Sequence, residues 1–143
     1  MNDIDHLDGG YDFLWSSCAF EHLGSLDLGL QFVENAMRLL KPGGIAVHTT
    51  EYNVGSDDDT VSVGPNCIYR KRDLEQLDRR LRRVGCGIER MDFDAGTHIY
   101  DLDYDTAPFF ESGKVHLKLE VDGHVCTSFL LIAHKGNSVV DGG

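Results

Sequence analysis

Positive charge is scarce in this chain: 13 lysines and arginines stand against 24 aspartates and glutamates in 143 residues, a formal net charge of -11. Nucleic acid and anionic membrane surfaces are bound by basic faces, so this balance argues against both as partners. Long apolar runs are missing as well. No stretch approaches the ~20 residues of a spanning helix, and no charged-then-apolar leader opens the sequence, so neither a membrane span nor a signal peptide is expected. Paired cysteines are also lacking. Cys18, Cys67, Cys86 and Cys126 are scattered without a CxxC, which favours reduced thiols in a cytoplasmic protein over a zinc site or a disulfide framework. The acidic run Asp57-Asp58-Asp59 has the charge for a hard cation but not the spacing or the glycine of a calcium loop, so no metal site is expected there. No internal repeat is found.

What the sequence does have is one well-punctuated crossover between Tyr11 and Tyr52. Tyr11 to Trp15 is a short aromatic and apolar run that stops at Ser16-Ser17-Cys18, as a buried strand does when it delivers polar groups to an edge. Ser25 is a good helix N-cap, Asp27 places negative charge in the first turn, and Leu26, Leu30, Val33, Met37 and Leu40 recur at helical spacing, with Phe32 and Ala36 widening the stripe. Lys41, Pro42 and Gly43-Gly44 end that helix, and Gly44 to Thr50 reads as a second strand. A strand, helix and strand joined in this way place the two strands parallel.

In open sheets of this kind, ligands bind outside the carboxyl ends of the strands. The corner after the first strand carries Ser16, Ser17, Cys18, Phe20, Glu21 and His22, and the second strand ends in Glu51, Tyr52 and Asn53. Two adjacent strand ends thus offer hydroxyls, carboxylates and an amide to one pocket. His22 beside Glu21 is a candidate general base held by a carboxylate. The plainer alternative is that both residues open the next turn and cap exposed backbone groups. Residues 54–66 read as a solvated, mobile loop placed to act as a lid.

Further on, Leu74, Leu77, Leu81 and Val84 mark a second helix over Arg72 to Val84, with Arg79, Arg80, Arg82 and Arg83 read as a solvated face near its C-terminus. Ile88 to Phe93 alternates and predicts a third strand. The segment from Asp94 to Lys114 is irregular, acidic and aromatic, which suggests an ordered cover or substrate wall. Val115 to Val121, the turn Asp122-Gly123 and Val125 to Ala133 form a hairpin. Its last strand is apolar on both faces, so it belongs inside the sheet, antiparallel between the second and third strands.

The order of elements, with LLKPGG at Leu39 to Gly44 coupled to the EHL corner at Glu21 to Leu23, resembles the C-terminal half of a class I S-adenosylmethionine-dependent methyltransferase. The resemblance implies an α/β, partial Rossmann-like fold with a mostly parallel sheet and a C-terminal antiparallel hairpin. The resemblance covers the half-domain at 11–135, between a polar, glycine-ended segment (1–10) that reads as a flexible lead-in and a tail (136–143) that reads as disordered. It places Ser16, Ser17, Cys18 and Phe20 along the S-adenosylmethionine cofactor. Glu21, Glu51, Tyr52 and Asn53 would face the acceptor, with His22 as catalytic base, and the acceptor would be a small molecule or a sugar-pathway compound. The family's glycine-rich cofactor loop and ribose-binding acid have no counterpart here, since the residues before Tyr11 cannot hold a strand and helix. The expectation is therefore a chain inactive by itself, forming a homodimer or completed by a separate N-terminal half. A non-catalytic binding or assembly module is the alternative. A nicotinamide-dependent oxidoreductase fits the hairpin and the KPGG turn poorly.

Overall fold

The computed structural model describes residues 3–4, 6–111, 113 and 117–137. Strand β1 (Tyr11–Ser16) leads through a 3-10 turn (Phe20–His22) and the short β2 (Gly24–Ser25) into α1 (Leu26–Leu39). There follow β3 (Leu40–Asn53), β4 (Val63–Gly64), α2 (Lys71–Arg82), β5 (Cys86–Ile88), β6 (Leu119–Val121) and β7 (His124–Lys135).

Helix α1 starts where its cap is. The Ser25 hydroxyl accepts the Leu28 N–H at 3.2 Å, an interaction worth about 1 kcal/mol. Leu26, Leu30, Val33, Ala36 and Met37 are all buried, and so is Leu40 just beyond the helix. At Gly43 the backbone takes φ +78°, a left-handed conformation that suits glycine and lets the chain turn inside the start of β3. In α2, Leu74, Leu77 and Leu81 are fully buried, but Val84 is 66% exposed. The helix ends at Arg82, so Val84 has left the spiral that would have carried it inward.

The main sheet runs β1-β3-β7-β5, with β6 beside β7. β1 and β3 are parallel, as the crossover requires, and pair Phe13 with Ile45 and Trp15 with Val47. β7 lies antiparallel between β3 on one side and β5 and β6 on the other, the central position expected for it. The sheet is nevertheless mixed rather than mostly parallel. Four strands point one way, but the one reversed strand is central, so it converts every pairing except β1 with β3 into an antiparallel one. The third strand is Cys86–Ile88 rather than Ile88 to Phe93, and it pairs with residues 133–135 of β7. The first hairpin strand is confined to Leu119–Val121, while residues 114–116 lie outside the described ones. The tail expected to be disordered lies outside them from residue 138 onward.

Both helices pack on one face of the sheet. There Ala46, His48, Thr50 and Tyr52 of β3 meet Phe129, Leu131 and Ala133 of β7 in one core with the stripes of α1 and α2. Arg80 joins the helices across this layer, donating to Asp27 at 2.6 Å and lying 3.5 Å from Glu34, so one member of the basic cluster is an inter-helix clamp rather than a solvated charge. Among the described residues, the opposite face is largely uncovered. Trp15 is 71% exposed, Leu130 56% and Phe13 54%. Among the described residues, no helix is long and apolar enough to cross a membrane.

Candidate functional site

The corner after β1 is stitched to β3. The Cys18 N–H donates to the Thr49 carbonyl at 3.1 Å and to its Oγ1 at 3.0 Å, and the Thr49 hydroxyl donates to Ser17 Oγ at 3.3 Å. These bonds hold Cys18 at φ +42°, a left-handed conformation that costs a residue with a Cβ roughly 1–2 kcal/mol. Such local strain often marks a functional place.

Phe20 then dives into the core. It is fully buried, its ring 4.9 Å from that of Tyr69 and 6.2 Å from His48. The close approach is possible because α1 carries glycine at position 29: a Cβ there would overlap the Tyr69 hydroxyl and lie 2.6 Å from the Phe20 carbonyl oxygen. A glycine inside a helix costs about 1 kcal/mol against alanine, and here it makes room for the corner.

Anchored by Phe20, Glu21 and His22 are carried to the carboxyl end of the sheet. Glu21 is 1% exposed. Its backbone carbonyl accepts the Cys67 N–H at 2.9 Å, and Oε2 accepts the Thr50 hydroxyl at 3.2 Å, while Oε1 is buried with no hydrogen-bond partner among the described residues. Burial pushes its carboxyl above the usual range, against smaller opposing effects from its backbone and Thr50 hydrogen bonds and from His22. His22 is exposed, and its Nδ1 lies 2.7 Å from the Pro65 carbonyl oxygen. A carbonyl can only accept, so Nδ1 carries the proton and Nε2 presents the lone pair.

Cys18, Glu21 and His22 share a cleft of about 250 Å³ with Glu51 from the end of β3. Phe109 and Val121 supply apolar wall, so part of the acidic and aromatic segment does serve as a cover. Cys126 of β7 lies at the back. Burial, with help from the negative charge of Glu51 and a hydrogen bond to it, pushes its thiol up to about 12. At the centre, Cys18 Sγ and one carboxylate oxygen each from Glu21 and Glu51 lie within 4.8 Å of one another.

The other sequence-selected residues lie elsewhere. Ser16 turns to the helix side, its Oγ 2.7 Å from His48 Nδ1, and Ser17 is occupied by Thr49. Tyr52 is buried against Phe129 and Phe93 at ring distances of 5.2 and 5.6 Å. Asn53 is buried and clamps the following loop: Oδ1 accepts the N–H groups of Gly55 and Ser56, and Nδ2 donates to the Asp59 carbonyl. The aspartate run is likewise tied down, with Asp57 accepting the Arg72 N–H at 3.0 Å and the Asp58 carbonyl receiving Arg70 and Arg72. Residues 63–64 pair with β2, so the loop expected to be free and solvated is pinned at several points. Sequence reasoning missed Cys126 in the cleft and His48 behind it. The register of β7 against β3 was the signal for Cys126, since it pairs with Asn53 two residues beyond Glu51.

No family model matches the chain, and no curated protein matches it. Solved structures do. A SAM-dependent methyltransferase from Methanosarcina mazei superposes with a TM-score of 0.54 at 13% identity, covering 96% of this chain and 65% of that one. The fold resembles that of S-adenosylmethionine-dependent methyltransferases. The [4+2]-cyclase SpnF matches with a TM-score of 0.53 at 16% identity over 96% of this chain and 54% of its own. A candidate sarcosine dimethylglycine methyltransferase from Galdieria sulphuraria matches at 0.53 and 17%, over 96% and 57%. The likeness is one of architecture, and a cyclase stands among the neighbours, so the fold by itself does not name the reaction. The chain spans between about half and two thirds of the length of these structures.

Proposed function

We propose that the cleft is the acceptor end of an S-adenosylmethionine-dependent methyl-transfer site. The observation that carries this reading is His22: it stands in a cleft at the carboxyl ends of two parallel strands, with Nδ1–H held by Pro65 and Nε2 presenting a lone pair. In that tautomer it would take the proton that an acceptor hydroxyl or amine must lose. Glu21 and Glu51 would receive the acceptor's donor groups, and Phe109 and Val121 would limit water. The acceptor is a small molecule, and a polyhydroxylated, sugar-like compound suits the paired carboxylates. S-adenosylmethionine, when bound, would supply the electrophilic methyl group.

The residues in hand do not fit the whole cofactor. The cleft of about 250 Å³ is smaller than the ~300–1,000 Å³ usual for small-molecule sites, and no glycine-rich loop follows a strand here to cradle the remainder. Cys18 lines the surviving portion, and further residues would have to complete it. Binding by this chain alone should therefore be weak. In a titration of the isotopically labelled chain with S-adenosylmethionine, the amides of Ser17 to His22 and Glu51 should shift at millimolar ligand, with no calorimetric signal at micromolar concentrations. Millimolar ligand that leaves these amides unmoved would sink the methyltransferase reading. Tight micromolar binding would instead show that the site is complete.

A second reading, an assembly module, is favoured by the largely uncovered face and by β1, which pairs on one side only among the described residues. Such an edge invites another strand. Isolated, it would pair with a second copy through a two-fold contact that satisfies both edges at once. A separately encoded N-terminal half would compete for the same edge.

A further inference from the structure

We propose that Cys18, Glu21 and Glu51 form a binding site for a divalent transition-metal ion of the zinc class, seated at the floor of the cleft with one coordination position open. The inference does not depend on methyl transfer. Two independent observations meet in it. The first is the donor set: one sulfur and two carboxylate oxygens, from the corner after β1 and the end of β3, lie within 4.8 Å of one another. The second is the Glu21 Oε1 atom, buried in a residue that is 1% exposed and lines the cleft, and lacking a hydrogen-bond partner among the described residues. A carboxylate oxygen removed from water needs a donor or a cation. His22, exposed and already held by Pro65, gives this oxygen no hydrogen bond.

The chemistry of the donors selects among cations. Calcium and magnesium take oxygen ligands in six- to eightfold or octahedral shells, whereas a thiolate with two carboxylates suits a softer, four-coordinate ion. Zinc bonds of about 2.0–2.3 Å put tetrahedral ligand atoms roughly 3.5 Å apart, so the cluster has to contract by at most about 1.3 Å from its 4.8 Å limit. Glu21 is fixed by Thr50 and the core, but the Cys18 side chain is exposed and Glu51 is half-buried, so ordinary rotamer changes suffice. The Cys18 backbone, meanwhile, is held at φ +42° by its two bonds to Thr49, which keeps the sulfur at the cleft. Three protein ligands leave a fourth position for water or an oxygen of a bound small molecule, the pattern of a catalytic rather than a structural zinc site.

Cobalt(II) reports on this directly, because a thiolate ligand adds a near-ultraviolet charge-transfer band that carboxylates and imidazoles do not. The tag-free full chain, reduced and without cofactor, is titrated with Co²⁺ alone and then with Zn²⁺. The expected result is a band that saturates at one equivalent and is bleached when zinc displaces cobalt. Cys18→Ser should abolish the band and Cys126→Ser should leave it. Glu51→Gln and Glu21→Gln, each checked for an unchanged circular dichroism spectrum, should weaken cobalt binding by at least the roughly tenfold that losing even an outer partner of a metal ligand costs. Absence of the band, its persistence in Cys18→Ser, or an affinity that both glutamine variants leave unchanged would overturn the proposal. These readouts are independent of S-adenosylmethionine, so their failure would leave the methyl-transfer reading where its own titration puts it.

Discussion

His48 should make this fold acid-sensitive. It is 1% exposed, packed edge-on between Phe20 and Phe32 at ring distances of 6.2 and 6.1 Å. Nδ1 is paired with Ser16 Oγ, and Nε2 is buried with no hydrogen-bond partner among the described residues. Burial alone pushes its pKa down from 6.5 to about 4. A histidine with a lowered folded value binds its proton more readily when unfolded, so acid favours the unfolded chain. The stabilisation from keeping His48 neutral is fully present above pH 6.5 and is lost progressively as pH falls towards about 4. At ~1.4 kcal/mol per pH unit the full effect is about 3 kcal/mol, of which about 2 kcal/mol is gone by about pH 5. The test is urea denaturation of the wild type and His48→Asn at about pH 7.5 and about pH 5. Asparagine keeps a polar atom near Nδ1 for Ser16 and does not titrate. The wild type should lose about 2 kcal/mol more than the variant between the two conditions. Parallel losses, within about 0.5 kcal/mol, would show that the imidazole titrates as in water and that this account of the core is wrong.

Two further outcomes follow from the packing. Gly29→Ala should destabilise the chain by about 1–2 kcal/mol despite alanine's better helix propensity, because its Cβ would collide with Tyr69 and the Phe20 carbonyl; a variant that melts above the wild type would refute the tight corner. In size-exclusion chromatography with light scattering, the chain should run as a dimer at tens of micromolar, and Trp15→Lys combined with Phe13→Lys should yield monomer. A well-folded wild-type monomer at that concentration would count heavily against assembly through β1.

Local chemistry made much of this architecture readable in advance. A serine cap, a stripe at helical spacing and a Pro-Gly-Gly stop act within a few residues of one another, so α1 and the parallel pairing of β1 with β3 could be placed from the sequence alone. The doubly apolar run at Phe129 to Ile132 likewise declared that β7 is interior to the sheet. Three things were decided only in three dimensions. Strand order made the sheet mixed, because one reversed strand at its centre governs all but one of the pairings. The covered face was set by where α1 and α2 could both pack: the Leu130 side chain, as apolar as its neighbours, is left in water because no described element lies over it. Lastly, the convergence of Cys18, Glu21 and Glu51 needed the corner to be pulled inward by Phe20 past Gly29 and stitched to Thr49. Ser16, Ser17, Tyr52 and Asn53 share the same strand ends in sequence, yet alternation and local hydrogen bonds turn them into packing and loop-clamping roles. Sequence proximity delivers residues to an end of the sheet; side-chain direction and burial decide which of them meet.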